Sequence, residues 1–433
     1  MADHKKFNIK TLPDLVQLAG DLGLNIPVSE DLDILFSGIT IEGREIPNRM
    51  VVQPMEGFDS RSNGAPGELT HRRYERYARG GSGMIWFEAT SVMEEGRSNP
   101  GQLMLSGDTV EDFKRLVDNT RKYAREANGP NFNPFLVMQL THSGRYSKPE
   151  GVPTGKYFTD NPFLDPLKKC SDRYTDDELE EIGDHFIEAI RLSEEAGFDS
   201  VDIKVSHGYL LHELLASYKV EGSRFGGTYK NRTALLNRIL ETPTRLVKSI
   251  RLNACDMIPY PYGYGMNKDG SLVADLNEAM GLIGELKGKV PLWNITAGIP
   301  YYNPHVNRPY DRGLTGASQP PENPLEGVAR MIGITGEIQS SFPGLPVVGS
   351  AFSWLRQFYP YVGAGVIKEG KASFIGLGRS SFAYPDAPND LKNKGFLDPG
   401  KVCITCSRCT QFMRQGMPTG CAVRDNEIYK TRT

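Results

Sequence analysis

Residues 200–215 read SVDIKVSHGYLLHELL, and their pattern says more about the fold than any other part of the chain. Val201, Ile203 and Val205 alternate with polar residues, as in a β-strand whose two faces differ. If the apolar side chains pack outward against helices, Lys204 points inward near the mouth of a barrel. A buried lysine needs a ligand or a partner, and the alternative is a neighbouring carboxylate in the barrel interior. The stretch predicts a barrel strand with chemistry at its carboxyl end.

Eight short apolar runs, this one included, have the length and composition of parallel strands buried on both faces. They are Met50–Pro54, Gly83–Glu88, Phe135–Leu140, Ser200–Lys204, a run ending near Arg251–Leu252, Leu292–Thr296, Leu345–Gly349 and Ser373–Leu377. Helical patterns lie between most of them. Eight strands that alternate with helices predict an α/β fold, the (β/α)8 TIM barrel.

The segments around these strands predict helices and loops. A capping box, T-D-D-E, begins a helix after Thr175, and a second apolar stripe runs from Leu272 to Leu286. A hairpin is predicted around Gly43. Gly- and Pro-rich insertions at 147–170, 256–270 and 299–324 follow strands three, five and six and would lie on the catalytic face. We predict three parts: a helical extension over 1–35, the barrel over 36–398 and a cysteine segment over 399–433.

The composition excludes several classes of function. The net charge of −3 over 433 residues gives no electrostatic argument for nucleic acid or an anionic membrane as partner. No run approaches the ~18 consecutive apolar residues of a transmembrane helix, and the N-terminus lacks the apolar core of a signal peptide. We therefore expect a cytoplasmic protein that binds neither nucleic acid nor membrane. The oligomeric state stays open, a homo-oligomer included.

Four of the 6 cysteines lie close together near the C-terminus. Cys403, Cys406 and Cys409 have the spacing C-x2-C-x2-C, and Cys421 follows after eleven residues. Four thiolates from one short loop can ligate a structural zinc or an iron–sulfur cluster. A disulfide pair is the alternative, but the tight spacing and the lack of secretory context disfavour it. The spacing predicts a metal or cluster site without deciding between the two.

Polar or small residues also occur where other strands end. Gln139 interrupts an apolar strand, and its amide suits the edge of a flat heterocycle or is a satisfied core amide. Arg251 could meet an anionic ring or a phosphate, or form a surface ion pair. Small-residue turns at Gly349–Ala351 and Gly376–Arg379 follow strands seven and eight, where such barrels commonly bind phosphate. We expect a ligand site at the carboxyl ends of the strands.

Several motifs occur in the order typical of one family. They are NRMVVQPM at 48–55, QLTHSGR at 139–145, HGYLLHELL at 207–215, RFGGTYKNR at 224–232, GLGR at 376–379 and the terminal cysteines. This set resembles the flavin oxidoreductases of the Old Yellow Enzyme family. It is most similar to the branch that includes 2,4-dienoyl-CoA reductase and trimethylamine dehydrogenase. The resemblance covers nearly the whole chain.

The resemblance implies FMN bound non-covalently at the mouth of the barrel. Gln139 would meet the pyrimidine edge of the flavin, Arg251 would face N1 and O2, and residues 54–56 would lie beneath the flavin through their backbones. Relatives often carry an arginine in the seventh-strand loop, where this chain has Gly349–Ala351, so Arg379 would carry more of the phosphate contact. The expected FMN contacts are Pro54, Met55, Glu56, Ala89, Gln139, Arg251, Gly349, Ser350, Gly378 and Arg379.

In that branch four C-terminal cysteines hold a [4Fe–4S] cluster beside the flavin, which favours iron–sulfur over zinc. The middle gap between the cysteines is one residue shorter here than is usual, so the loop must differ. The absence of a cysteine near Glu56 argues against a cysteinyl-linked flavin. The chain ends shortly after Cys421 and has no G-x-G-x-x-G fingerprint. We therefore expect a separate electron donor: a ferredoxin, a flavoprotein, a partner subunit or NAD(P)H itself.

The implied reaction is reduction of a C=C bond conjugated to a carbonyl, in a small enone or enoyl substrate. Hydride would come from flavin N5, and Tyr209 would protonate the α-carbon, since a phenol with a pKa near ~10 is protonated at neutral pH. His207 and Lys204 would donate hydrogen bonds to the carbonyl oxygen. The alternatives are an amine or ether dehydrogenase or demethylase that runs oxidatively, a non-catalytic electron-transfer subunit, and a barrel with a structural zinc.

Aromatic residues accompany these candidates in two of the insertions. Tyr260, Tyr262, Tyr264, Tyr301 and Tyr302 could line a pocket over the flavin, or they could serve only to pack the loops. The sequence leaves both interpretations open.

Overall fold

The computed structural model of the protein describes residues 7–167, 171–311 and 319–430. The first six residues of the predicted N-terminal extension and the last three of the cysteine segment lie outside the described residues. So do short parts of the insertions after strands three and six.

In chain order, the strands are β1 Ile39–Ile41, β2 Arg44–Ile46, β3 Met50–Val52, β4 Met84–Trp86, β5 Thr90–Ser91, β6 Phe135–Thr141, β7 Lys156–Tyr157, β8 Asp172–Arg173, β9 Ser200–Val205, β10 Val247–Asn253, β11 Leu292–Thr296, β12 Val347–Gly349 and β13 Phe374–Leu377.

Within this part of the chain, eight parallel strands close into a barrel. The hydrogen-bonded order is β4-β3-β13-β12-β11-β10-β9-β6, and β4 pairs with β6 to complete the ring. Each of the eight predicted apolar runs overlaps one of these strands, so the predicted TIM barrel is confirmed. The strands are buried along almost their whole length, which explains why they read as unbroken apolar runs.

Helices separate the barrel strands and cover the outside. In the described residues they are α1 Leu12–Asp21, α2 Glu68–Arg79, α3 Val110–Asn128, α4 Asp176–Glu195, α5 Leu210–Leu215, α6 Tyr229–Arg232, α7 Ala234–Leu240, α8 Asn277–Leu286, α9 Pro304–Asn307, α10 Pro324–Ser341, α11 Tyr359–Lys368, α12 Arg379–Ala383, α13 Ala387–Lys394 and α14 Arg408–Arg414. Short 3₁₀ turns occupy Asp33–Phe36, Gly144–Tyr146, Asp165–Leu167 and Phe352–Phe358. None of the described helices combines the length and the apolar character that crossing a bilayer requires.

The helix predicted from Leu272 begins later than its apolar pattern indicates. Leu272 and Val273 are more than half exposed. An antiparallel bridge between Met266 and Ala274 turns this segment back on itself before α8 begins at Asn277. The prediction was therefore wrong for the first turn, because the two apolar side chains belong to a surface turn and do not face the core.

The β1–β2 hairpin closes the amino end of the barrel. Glu42 and Gly43 both have positive φ angles, 47° and 75°, which is the geometry of a tight two-residue hairpin turn. The hairpin buries Ile41 and Ile46 against the amino-terminal residues of the barrel strands. With this end sealed, the carboxyl ends of the strands form the open mouth.

The strand register brings polar side chains together at that mouth. Gln139 of β6 stands opposite Asp202 of β9, and Arg251 of β10 stands opposite Lys204. Parallel strands place such neighbours at the same height in the barrel. The fold therefore gathers a glutamine, a carboxylate and two cations in one small region.

The capping box at the start of α4 allows a direct test of how much the Thr175 side chain stabilises this helix. The Thr175 hydroxyl accepts a hydrogen bond from the Glu178 backbone N–H (3.2 Å), and the Glu178 carboxylate accepts one from the Thr175 N–H (2.8 Å). We expect Thr175→Ala to lower the free energy of unfolding by about 1 kcal/mol, whereas Thr175→Ser keeps the acceptor and loses little. Chemical denaturation of the three proteins measures this. Equal destabilisation by serine and alanine would contradict the capping role.

Candidate active site

A cavity of about 730 Å³ opens at the carboxyl ends of the barrel strands, a size typical of cofactor and substrate pockets. Its lining includes most residues that the sequence singled out: Pro54, Met55, Glu56, Ala89, Gln139, Lys204, His207, Tyr209, Arg251, Ser350, Gly378 and Arg379. Gly349 is not among the lining residues, and the hydroxyl of its neighbour Ser350 donates to the Ile295 carbonyl (2.8 Å). The structure thus brings candidates from distant parts of the chain to one cavity.

Asp202 is a buried carboxylate that organises this cavity, and the sequence interpretation did not assign it a role. Its Oδ2 accepts hydrogen bonds from Trp86 Nε1 (2.8 Å) and Gln139 Nε2 (2.5 Å), and its Oδ1 accepts one from the Arg251 backbone N–H (2.6 Å). Burial raises the pKa of Asp202 to about 6, and these donors oppose the rise. The strict alternation in residues 200–205 placed Asp202 on the same face as Lys204, and that signal could have identified it.

Gln139 takes its orientation from this carboxylate, and Arg251 is held beside it through its backbone N–H. Gln139 is 1% exposed, and the negative charge of Asp202 fixes which end of its amide donates. Arg251 is buried in the cavity wall, so it does not form a surface ion pair, and its Nε has no hydrogen-bond partner. Burial lowers the pKa of Arg251 to about 10 and nearby Asp202 opposes this. An unpaired guanidinium in a cavity wall suits an acceptor-rich or anionic ligand.

Lys204, His207 and Tyr209 occupy one region of the cavity wall. Lys204 Nζ lies 3.7 Å from the centre of the Tyr209 ring, a cation–π contact. His207 has a φ of +65°, a left-handed conformation that is uncommon for a residue with a side chain and often marks functional sites. Burial lowers the pKa of His207 well below its usual range, with Arg251 and Lys204 adding to the effect, so its imidazole is neutral.

Glu56 contributes its side chain to the same region. Its carboxylate Oε1 accepts a hydrogen bond from Gln102 Nε2 (3.0 Å), and the carboxylate and the Lys204 ammonium act on each other electrostatically. Burial raises the pKa of Glu56, whereas Lys204 and the Tyr209 hydroxyl lower it. The resemblance implies a backbone role for this residue, and the structure shows in addition a carboxyl group that faces the cavity. The charges of Glu56 and Asp202 both act on Lys204, and neither carboxylate forms an ion pair with it within 4 Å.

The aromatic candidates separate into two groups. Tyr301 lines the cavity, stacks on Tyr146 with a centroid distance of 3.9 Å, and its hydroxyl lies 3.3 Å from that of Tyr209. Tyr264, by contrast, is buried in the main core, and Tyr260 packs on Tyr218. The latter two therefore serve loop packing.

Three arginines meet at the side of the cavity that adjoins the cysteine segment. Arg379 donates from Nη2 to the Pro309 carbonyl (2.8 Å), and its Nη1 has no partner. Burial, followed by repulsion from Arg379 and Arg414, lowers the pKa of Arg308 to about 10. Such crowding of positive charge suits a bound polyanion. Arg308 was not predicted, because it comes from an insertion in which no periodicity constrains the side chains.

The four C-terminal cysteines line a second, smaller cavity, together with Arg379. Burial raises the pKa of Cys403 to about 12 and also raises that of Cys409, while Arg379 opposes both shifts. In residues 7–167, 171–311 and 319–430, no three His, Cys, Asp or Glu side chains are grouped as for one metal ion. All four thiols nevertheless line the same small cavity.

Comparison with known proteins identifies relatives with named activities. The NADH:flavin oxidoreductase / NADH oxidase family matches residues 34–255, about half of the chain. An NADPH dehydrogenase of Clostridium acetobutylicum is 28% identical over 271 residues, which cover 61% of this chain and 74% of that protein. An NADPH dehydrogenase of Bacillus velezensis is 30% identical over 212 residues, with 48% and 59% covered.

Structural similarity to solved proteins covers more of the chain than the family match to residues 34–255 does. The complex of 2-naphthoyl-CoA reductase with 2-naphthoyl-CoA superposes with a TM-score of 0.69 at 19% identity, covering 90% of this chain and 57% of that one. Histamine dehydrogenase from Rhizobium sp. 4-9 gives 0.66 at 18%, with 91% and 52% covered. An Old Yellow Enzyme homologue from Zymomonas mobilis gives 0.60 at 21%, with 84% and 94% covered. The chain thus spans a little over half the length of the first two, and these identities establish a shared fold.

The Asp202 network leads to a prediction about flavin binding. Asp202→Asn keeps the size of the side chain but presents an amide nitrogen to donors, and each lost bond to a charged group is worth about 1.5–3 kcal/mol. We expect the affinity for FMN to fall about tenfold or more, since about 1.4 kcal/mol is a factor of ten. Titration of apoprotein with FMN, followed by flavin fluorescence, measures it.

The matched control is Asp199→Asn, at the amino end of the same strand. Asp199 accepts hydrogen bonds from Arg44, Arg121 and the Leu136 N–H and does not line the cavity. This variant is expected to lose stability but to keep its FMN affinity. Equal FMN affinities of the Asp202 variant and the unaltered protein would contradict the positioning role.

Proposed function

Because the chain belongs to the NADH:flavin oxidoreductase / NADH oxidase family, and is therefore a flavin-dependent oxidoreductase, we propose that it reduces a C=C bond conjugated to a carbonyl, with FMN and a [4Fe–4S] cluster as cofactors. The observation that carries the proposal is the grouping of Lys204, His207 and Tyr209 on one region of the cavity wall. These side chains supply what a conjugated carbonyl needs: hydrogen-bond donors for its oxygen and an acid for its carbon.

The chemistry of the three side chains decides which of them donate hydrogen bonds to the carbonyl oxygen and which one acts as the acid. The Lys204 ammonium and the neutral His207 imidazole can each donate to a carbonyl oxygen, on which negative charge grows as the bond is reduced. Burial raises the pKa of Tyr209 well above its usual value, so the phenol holds its proton at neutral pH and can give it to the α-carbon. Enclosure in the cavity strengthens these interactions, because little water competes with them.

The free hydrogen-bonding groups of the cavity fit FMN. Gln139 and Arg251 present an amide and an unpaired guanidinium to the place expected for the polar edge of the flavin, and Arg379 and Arg308 have unpaired N–H groups for the phosphate. Bound FMN would supply hydride to the substrate and accept electrons one or two at a time. Arg308 also compensates for the arginine that the seventh-strand loop lacks.

All four cysteines line the second cavity, and a [4Fe–4S] cluster takes four thiolate ligands. A [4Fe–4S] cluster there would supply one-electron transfer between a separate donor and the flavin site. Helix α14 adjoins both places, because Cys409 lines the smaller cavity while Thr410 and Arg414 line the larger one.

The charge inside the cavity favours the reductive reaction over amine oxidation. Lys204 and Arg251 both line the space next to Tyr209. A cationic amine would meet two buried positive charges there, whereas a carbonyl oxygen would be stabilised by them. The tyrosines alone would suit either substrate, so the cations distinguish the two.

The proposed acid can be removed selectively. In Tyr209→Phe we expect the flavin to be reduced at the normal rate, but its re-oxidation by 2-cyclohexenone should slow by about 100-fold or more, in the range of general acid catalysis. Anaerobic stopped-flow absorbance of the flavin measures both half-reactions. Tyr359→Phe is the control, since this buried tyrosine packs in a separate core cluster. Normal re-oxidation in the Tyr209 variant would refute the acid assignment.

The cluster is tested by metal content. We expect protein purified without oxygen to contain about four irons per chain, with the broad visible absorption of a cluster. Cys409→Ala should lose the iron, whereas Cys255→Ala should keep it, because Cys255 is buried in the main core away from both cavities. Stoichiometric zinc without iron would show that the site is a structural metal centre.

A further inference from the structure

Glu56 has a carboxyl group in the cavity for which the reaction described above has no use. We propose that Glu56 is the proton reservoir of the site: it returns a proton to Tyr209 after each reduction. The inference rests on the proposed function, since it assumes that Tyr209 protonates the substrate.

The geometry places a carboxyl, a phenol and an ammonium in one group. The Gln102 amide, itself fully buried, holds the Glu56 carboxyl by a hydrogen bond of 3.0 Å. The Tyr209 hydroxyl faces that carboxyl closely enough to lower its pKa. Lys204 Nζ stands 3.7 Å from the centre of the Tyr209 ring, so its charge lies on the face of the phenol. A proton can therefore pass between Glu56 and Tyr209 under the influence of one nearby cation.

Tyr209 needs such a neighbour because its anion is poorly accommodated. The side chain is 3% exposed, and burial raises the pKa of the phenol well above its usual value. A phenolate left after protonation of the substrate would be a desolvated charge. Tyr209 must recover a proton before it can serve again.

Glu56 is the strongest acid among the neighbours of the Tyr209 oxygen. The Tyr301 hydroxyl lies 3.3 Å away, but burial raises its pKa to about 12, and the nearby Ser98 hydroxyl is a far weaker acid than a carboxyl. Burial also raises the pKa of Glu56, so this carboxyl carries its proton closer to neutral pH than an ordinary glutamate. Proton transfer from a carboxylic acid to a phenolate is favourable. Glu56 is only half-buried, so water in the cavity can restore its proton.

The step balances in protons and electrons. FMN bound in the cavity would supply the hydride that the β-carbon receives, and the Tyr209 O–H bond breaks as a C–H bond forms at the α-carbon. The resulting phenolate takes the proton of Glu56, and the Glu56 carboxylate takes one from water. Each reduction thus consumes one hydride and one solvent proton.

Glu56→Gln separates a reservoir from a structural role. Glutamine keeps the shape and the hydrogen bonding but cannot release a proton at neutral pH. Since Tyr209 starts each experiment protonated, the first re-oxidation of reduced holoenzyme by 2-cyclohexenone should keep its normal rate. Steady-state turnover with dithionite as reductant should fall about tenfold or more. Equal slowing of the first and later turnovers, or normal rates in both, would overturn the proposal.

The pH profile gives a second readout. The charged or titratable groups that act on Glu56 are the Lys204 ammonium and the hydroxyls of Tyr209 and Tyr301. Because the protonated carboxyl is the active form, steady-state turnover should fall as pH rises through the raised pKa of Glu56. The same fall should be absent in Glu56→Gln and retained in Tyr301→Phe. A fall that persists in the glutamine variant would assign the titration to another group.

A spectroscopic measurement keeps the test independent of activity. Infrared difference spectra of the holoenzyme between low and high pH should show the C=O band of a protonated carboxylic acid that disappears in Glu56→Gln. The control is Glu95→Gln, since Glu95 accepts a hydrogen bond from the Tyr174 hydroxyl (3.2 Å) and does not line the cavity. This variant should keep the band, the pH profile and the turnover. If no C=O band that depends on Glu56 persists at pH values above the usual titration range of a glutamate carboxyl, the reservoir role is refuted.

The two proposals fail in different ways. If the unaltered enzyme is not re-oxidised by 2-cyclohexenone or related enones, the proposed function fails while the infrared band still reports the proton of Glu56. If the unaltered enzyme reduces enones and Glu56→Gln turns over normally, only the reservoir fails.

Discussion

The site depends on a single buried carboxylate. Asp202 accepts hydrogen bonds from Trp86 of β4, Gln139 of β6 and the backbone of β10, so it ties its own strand to three others at the barrel mouth. A buried carboxylate is tolerated only when donors compensate for its lost hydration. Those donors are the groups that shape the cavity wall. Stability and site geometry therefore rest on the same contacts: a change that removes the Asp202 carboxylate also removes the hydrogen bond that orients Gln139.

The rest of the cavity has an excess of positive charge. Arg251, Arg308 and Arg379 each have an N–H group without a hydrogen-bond partner, and repulsion among the arginines contributes to the lowered pKa of Arg308. A protein gains nothing in stability from such crowding. The free energy that this repulsion costs is recovered when an anion binds. The arrangement therefore favours a ligand that carries a phosphate at one end and acceptor atoms at the other. The cysteine segment adjoins the same cations, which places both proposed cofactors within one electrostatic environment.

The fold could be predicted from the sequence to a large extent, because strands buried on both faces leave continuous apolar runs that helices then separate. The failures have physical causes. Leu272 and Val273 continue the stripe of α8, but a surface turn precedes the helix, and apolar periodicity cannot detect a turn. Of the site, the alternation in β9 was enough to direct Lys204 inward. The partners of Asp202 could not be predicted, since they depend on strand register, and neither could Arg308, which lies in an irregular insertion.

The position of the Lys204 ammonium lets one cation act in several steps of the proposed reaction. Its ammonium lies on the face of the Tyr209 ring and acts electrostatically on Glu56. Negative charge would appear first on the substrate oxygen, then on the Tyr209 phenolate and finally on the Glu56 carboxylate, and Tyr209 and Glu56 both line the cavity. A fixed positive charge near all three lowers the cost of each anion in turn. Burial lowers the pKa of Lys204 and Glu56 opposes this, so the carboxyl that ends the sequence as an anion also helps to keep the lysine charged. The Glu56 carboxylate and the Lys204 ammonium thus each favour the charged form of the other.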